Sequence, residues 1–236
     1  MLRHLACLVF LVFTAETFEQ ENLSYTRDNF STIFGEKYHE AESYFVSHHW
    51  ISDSLAAYGI QPDFAQAIVF PEVIRFSAIS DKVEVQGLFT LYVQYGIKYS
   101  NFSVGRFQMK PSFAEQVEKD AKQLHGKWQA TLQQIDLSDT PEARINRVKR
   151  LNSAEWQLKY LIWFIEIMDQ QYGMTYKSNN IEKLRFYATA YNCGYTNPEP
   201  VILQHMQKNY FHTAVFSSDI RYCYCDIASA YYISTL

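Results

Sequence analysis

The chain is poor in residues that break or staple a backbone. Its 236 residues include only 8 Gly and 6 Pro, too few for a turn-rich all-β chain or a collagen-like repeat. Four Cys cannot build a disulfide-dense scaffold. There is no basic excess: 21 Lys and Arg face 25 Asp and Glu, for a formal charge of -4. Phosphate backbones are bound by clustered cations, so nucleic acid is not the expected partner. A glycine-rich phosphate loop is missing too, since Gly105 stands alone. No segment approaches the roughly 20 apolar residues that a membrane-spanning helix needs. What is abundant is hydrophobic material, 48% of the chain, with 18 Tyr and 17 Phe. With charged residues at only 19%, that excludes intrinsic disorder and provides a sizeable core.

The N-terminus reads as an address. Arg3 precedes an apolar run from Leu5 to Phe13, too short to span a bilayer and suited to a secretory signal cleaved near Ala15. The alternative is a buried N-terminal strand. The mature chain is therefore expected in the periplasm, in the cell envelope or outside the cell. Residues 16–36 are polar and weakly periodic and read as a loose arm, and 37–236 read as a single domain. In an oxidising compartment Cys193 is expected to pair with Cys223 or Cys225, leaving an odd thiol. Cys-Tyr-Cys at one-residue spacing lacks the usual two-residue gap of zinc sites, and His212 falls outside any familiar pattern, so no metal is expected. No cofactor is expected either.

Helical periodicity runs through most of what remains. Tyr44, Phe45, His48, Ile51 and Leu55 form one stripe. Leu88, Leu91, Tyr92 and Tyr95 form a second, and Ile181, Leu184, Ala188 and Tyr191 a third. Helix starts are read at Ser112 with Glu115 as a capping box, at Thr140 before Pro141, and at Asn152 with Glu155. The segment 156–173 is apolar nearly all round and reads as the central core helix. The expected architecture is a mainly α domain with a small irregular or β-like stretch near 98–111.

Three stretches carry candidate chemistry. In 59–77, Glu72 sits among Phe70, Val73, Ile74 and Phe76. Buried, such a carboxyl keeps its proton toward neutral pH, as a general acid needs. The competing reading is a surface acid paired with Arg75. In 99–113, Gly105 allows a close backbone approach and Gln108 offers both donor and acceptor. In 188–195, a helix ends at Gly194 with Tyr191 and Asn192 in its last turn.

Taken in order, these stretches resemble the lytic transglycosylases and the related goose-type lysozymes. That family shows a helix ending in its catalytic Glu, a Gly-Leu-Met-Gln-like stretch closed by Met-Pro, and Ala-Tyr-Asn-Ala-Gly. Here the matching residues are Glu72, then Gly105-Arg106-Phe107-Gln108-Met109-Lys110-Pro111, then Ala190-Tyr191-Asn192-Cys193-Gly194. The resemblance covers roughly 60–195. Val73 replaces the family's usual Ser, Arg106 and Lys110 depart from an apolar motif, and Gln108 lies 36 positions after Glu72, longer than the family's usual spacing, with an extra helix expected around 82–96.

The resemblance implies a lysozyme-like fold and a peptidoglycan glycan strand as substrate. It implies cleavage of the N-acetylmuramic acid–N-acetylglucosamine β-1,4 bond by one carboxyl, Glu72, with Tyr191 orienting that acid. Gln108, Asn192, Gly105 and Phe107 would support the sugar or the cleft. Plain hydrolysis would need a second carboxylate, for which Asp81 and Glu84 are the candidates. A non-catalytic envelope protein that binds glycan or a protein partner is the alternative, and an unrelated exported helical protein is a third reading.

Overall fold

The computed structural model of the chain describes residues 27–76, 78–124, 127–212 and 220–236. The leader 1–15 and Cys7 lie outside the described residues, as do the side chains of Asp81 and Glu84. The architecture is mainly α. In chain order come α1 (Arg27–Phe34), α2 (Glu36–Ser47), α3 (His49–Ala57) and α4 (Pro62–Arg75). Next are α5 (Ala78–Tyr95), α6 (Pro111–Ala121), α7 (Gln129–Gln133) and α8 (Pro141–Leu151). The last four are α9 (Ala154–Tyr172), α10 (Asn180–Cys193), α11 (Glu199–His205) and α12 (Tyr224–Thr235). Among the described residues the only β pairings are isolated bridges, Val104 with Met109 and Phe211 with Tyr222. No described helix is long and apolar enough to cross a membrane.

α4 is the helix around which the others gather. Pro62 fits its first position because the missing N–H is one that a helix start leaves unpaired anyway. Every residue from 64 to 74 is buried. A helix apolar on all sides must be wrapped, and α2, α3, α9, α10 and α12 all pack on it. Phe70 stacks on Tyr231 at 3.9 Å and meets Tyr38 edge-on at 4.9 Å. Each such buried ring contributes about 1.5–3 kcal/mol. The sequence put α9 at the centre. That helix is indeed buried from Gln157 to Met168 apart from Lys159 and Glu166, but it shares the core with α4.

Several local expectations change in three dimensions. The supposed loose arm contains α1, whose Phe30 is buried, stacked on Phe34 and edge-on to Tyr222. Its polar residues had hidden a single inward-facing aromatic pair. The Ser112–Glu115 capping box does not form. The Ser112 N–H is met instead by Asn101 Oδ1 at 3.2 Å. Glu115 is drawn away to Tyr92 Oη at 2.8 Å and Arg147 Nη1 at 3.3 Å. Thr140 does cap α8, accepting from the Ala143 N–H. The cap of α9 is Ser153 rather than Asn152, which ends α8 instead. Of the second stripe only Tyr92 is fully buried, with Leu91 and Tyr95 facing outward.

The expected disulfide is also absent: Cys193, Cys223 and Cys225 are all free thiols. Cys223 and Cys225 lie against each other, with their sulfurs 3.2 Å apart.

A buried ionic cluster that the sequence reading missed ties α5, α6, α8 and α9 together. Glu118, fully buried, accepts from Arg147 Nε at 2.9 Å, Arg150 Nη2 at 2.7 Å and the Tyr160 hydroxyl. Arg147 Nη1 also donates to the Tyr92 hydroxyl at 2.9 Å. A carboxylate so removed from water is tolerable only when paired and fully hydrogen-bonded.

Candidate active site

The C-terminal part of α4, the 96–110 loop and the end of α10 enclose a cavity of about 440 Å³, within the usual range for small-molecule or cofactor sites. Glu72, Gln108, Tyr191 and Asn192 all line it, although the chain separates them by up to 120 positions. Arg75, Asn101, Ser103, Lys110, Gln116, Cys193 and Thr196 complete most of the polar wall. Among the described residues of this wall Glu72 is the single carboxylate.

Glu72 is held by a helix packed on every side, and it is 5% exposed. Its Oε2 is buried and accepts no hydrogen bond from any described residue. Arg75 lies one turn on, with Nη1 at 3.6 Å from Oε2. That is ion-pair range but beyond a hydrogen bond. The two sequence readings of this acid thus each hold in part: it has Arg75 beside it, yet it is not on the surface. Burial pushes its pKa from 4.5 up to about 7, against the opposing pull of the Arg75 and Lys110 charges and the Asn192 amide. Desolvation wins because both cations sit toward solvent while the carboxyl does not.

Tyr191 does not hold the acid directly. Its hydroxyl donates to the Phe107 carbonyl at 2.7 Å, so α10 clamps the loop that faces α4. Burial, reinforced by the nearby Glu72 carboxylate, raises the Tyr191 pKa well above its ordinary value. The phenol stays protonated and keeps donating.

Gly105 and Phe107, expected to meet the ligand, do not line the cavity. The Phe107 ring is core, stacked against Phe45 at 6.4 Å, and only its backbone serves the site. Gly105 approaches a side chain rather than a ligand. With φ of +68°, its missing Cβ would fall 1.7 Å from Gln157 Nε2. Gln157 is the piece the sequence reading overlooked. Its Oε1 accepts from the Phe107 N–H at 2.9 Å, and its Nε2 donates to the Val104 and Leu151 carbonyls at 2.9 and 2.6 Å. A lone amide in the apolar run of α9 was the available signal. Gln108 closes the turn through Nε2 to the Gly105 carbonyl at 2.9 Å, in a left-handed conformation with φ of 49°. Arg106 departs from an apolar pattern because its guanidinium lies over the Phe76 ring at 4.0 Å and the Tyr44 ring at 4.7 Å.

At the end of α10, Gly194 has φ of 102° and ψ of 115°, a glycine conformation outside the left-handed helical region. It turns the chain so that Cys193 and Tyr195 both reach the cavity wall. Tyr195 is anchored by its hydroxyl to Asp120 Oδ2 at 2.7 Å. One set of potential metal donors occurs among the described residues, Cys223, Cys225 and Asp226, and it does not belong to this cavity.

The chain matches no family model, no curated protein and no solved structure.

Proposed function

We propose that this protein is an exported, lysozyme-like enzyme that cleaves the β-1,4 bond between N-acetylmuramic acid and N-acetylglucosamine in peptidoglycan, by lytic transglycosylation. The observation that carries the reading is the buried carboxyl of Glu72, with a pKa of about 7 and an unpartnered oxygen, on a cavity wall it shares with Gln108, Tyr191 and Asn192. An acid that holds its proton near neutrality can give it to a glycosidic oxygen as the sugar develops oxocarbenium character. Hydrolases of the two-carboxylate type place the second acid roughly 5–9.5 Å from the first. With Glu72 alone among the described cavity acids, the reading favoured is the one that needs a single carboxyl. Glu72 protonates the leaving oxygen, and the substrate's acetamido group assists departure. The ionised Glu72 then takes the proton of the C6 hydroxyl as that oxygen attacks C1, giving a 1,6-anhydro sugar without consuming water.

The surrounding amides and hydroxyls of Asn101, Ser103, Gln108, Gln116, Asn192 and Thr196 match the hydrogen-bonding groups of amino sugars. The Arg75 and Lys110 charges stabilise the carboxylate once its proton has left, so Glu72 can work in both directions. The leader read from 1–15 is consistent with a substrate outside the cytoplasm.

The test is mass spectrometry of sacculi digested with the purified protein and with Glu72→Gln. Anhydromuropeptides from the wild type alone are the expected result. Reducing-end products point to hydrolysis. Saturable sacculus binding without product leaves only the glycan-binding alternative.

A further inference from the structure

Outside the cavity, the N-terminus of α12 holds a pair of thiols whose chemistry the proposed function does not use. Cys223 occupies the N-cap position of α12 and Cys225 its first turn. Their sulfurs are 3.2 Å apart, inside ordinary sulfur–sulfur contact. Both face the Met206 carbonyl, at 3.2 Å from Cys223 Sγ and 3.6 Å from Cys225 Sγ. Neither is held by the third described thiol, since Cys193 is engaged with the end of α10.

We infer that Cys223 and Cys225 are a redox-active dithiol that closes to an intramolecular disulfide by exchange with a small disulfide oxidant. The two sulfurs are not equivalent. Cys223 retains 7% of its exposure and Cys225 none, so an incoming disulfide meets Cys223 first. Its thiolate is favoured by a hydrogen bond from the Cys225 thiol, and the start of a helix is a place where negative charge is welcome. Burial and the Asp226 carboxylate oppose that thiolate, while the Asp226 backbone N–H and Arg185, itself paired with Asp226 at 2.6 Å, favour it; the Cys225 hydrogen bond is the largest influence and decides the direction. Cys225, buried and donating, is held protonated until the first bond has formed.

The exchange runs in two displacements. The Cys223 thiolate attacks one sulfur of the oxidant, whose other sulfur leaves as a thiolate and takes up a proton. Cys225 then gives up its proton, and its sulfur attacks Cys223 Sγ in the mixed disulfide and expels the second thiol. The protein loses two protons and two electrons, and the oxidant's S–S bond becomes two S–H groups. A ring closed across one intervening residue is strained, so the bond is expected to reopen readily under mild reductant. Tyr224, the residue between them, donates its hydroxyl to the Ile68 carbonyl of α4 at 2.9 Å. The dithiol therefore sits where α12 is fastened to the helix bearing Glu72.

The test uses the full chain, incubated with glutathione disulfide, alkylated and digested with trypsin. Cleavage after Arg221 puts both sulfurs on peptide 222–236, while Cys193 falls on 186–208. The expected product is peptide 222–236 lighter by two hydrogens, unalkylated and free of glutathione, with Cys193 still alkylated. In Cys225→Ser the resolving sulfur is gone, and the expected product is a stable glutathione adduct on Cys223. The inference is overturned if 222–236 remains doubly alkylated, or if it is recovered cross-linked to 186–208. Zinc retained by the reduced protein, protecting both thiols from the oxidant, would equally overturn it in favour of a metal site. None of these readouts depends on glycan cleavage.

Discussion

Replacing Glu72 by Gln should make the protein more stable and less active at once, and the stability change should appear only above a definite pH. The carboxyl's pKa rises from 4.5 to about 7 because it is buried. An acid whose folded pKa is raised holds its proton more firmly when folded than when unfolded. Its contribution is therefore intact below 4.5 and is lost as the pH climbs to 7. At about 1.36 kcal/mol per pH unit, an ionised Glu72 costs the fold about 3 kcal/mol at pH 8. Gln keeps the shape and never ionises. Urea unfolding of both proteins from pH 4 to pH 8.5 should give a difference that begins near 4.5, grows with pH and levels off above 7. For a domain of this size that is a rise in Tm of roughly 6–12 °C at high pH. Gln cannot donate the proton, so product from sacculi should fall by about 10²–10⁴-fold in the same preparation. A stability difference independent of pH would refute the reasoning. A Gln variant less stable than wild type at pH 8 would show that Arg75 satisfies the ionised acid after all.

The wild-type rate should fall along a basic limb centred near pH 7 as Glu72 ionises, and Arg75→Ala, by removing the cation that pulls this pKa down, should move the limb upward in a pH–rate profile. Gly105→Ala drives a Cβ into the Gln157 amide at a positive φ and should cost about 1–3 kcal/mol or more by urea denaturation, with activity lost alongside. Tyr191→Phe leaves the buried Phe107 carbonyl unpaired and should cost about 1–3 kcal/mol, lowering kcat by loosening the loop without moving the basic limb. Glu118→Gln should be among the most damaging single changes, about 3–5 kcal/mol, because it leaves Arg150 with the Tyr160 hydroxyl but no carboxylate and removes one of the two carboxylates paired with the buried Arg147; thermal unfolding measures it.

The helical character of the chain was legible in its apolar spacing, and so was the Pro-led start at Pro141. Both are local properties, set by 3.6-residue periodicity and by one missing N–H. The candidate cavity was legible in outline. Glu72, Gln108, Tyr191 and Asn192 were named from residue type and order, and they do meet. What each does was not legible. Gly105 and Phe107 looked like ligand contacts, yet one makes room for Gln157 and the other gives only its backbone. Glu115 looked like a helix cap but belongs to an ionic cluster formed with Tyr92 and Arg147. The pairing of the thiols was misjudged for the same reason. Residue type and spacing determine which chemistry is on offer along the chain. Only packing decides which polar group is stripped of water, and it is that loss of water that lifts the Glu72 pKa, drives Glu118 into its cluster and brings two sulfurs into contact.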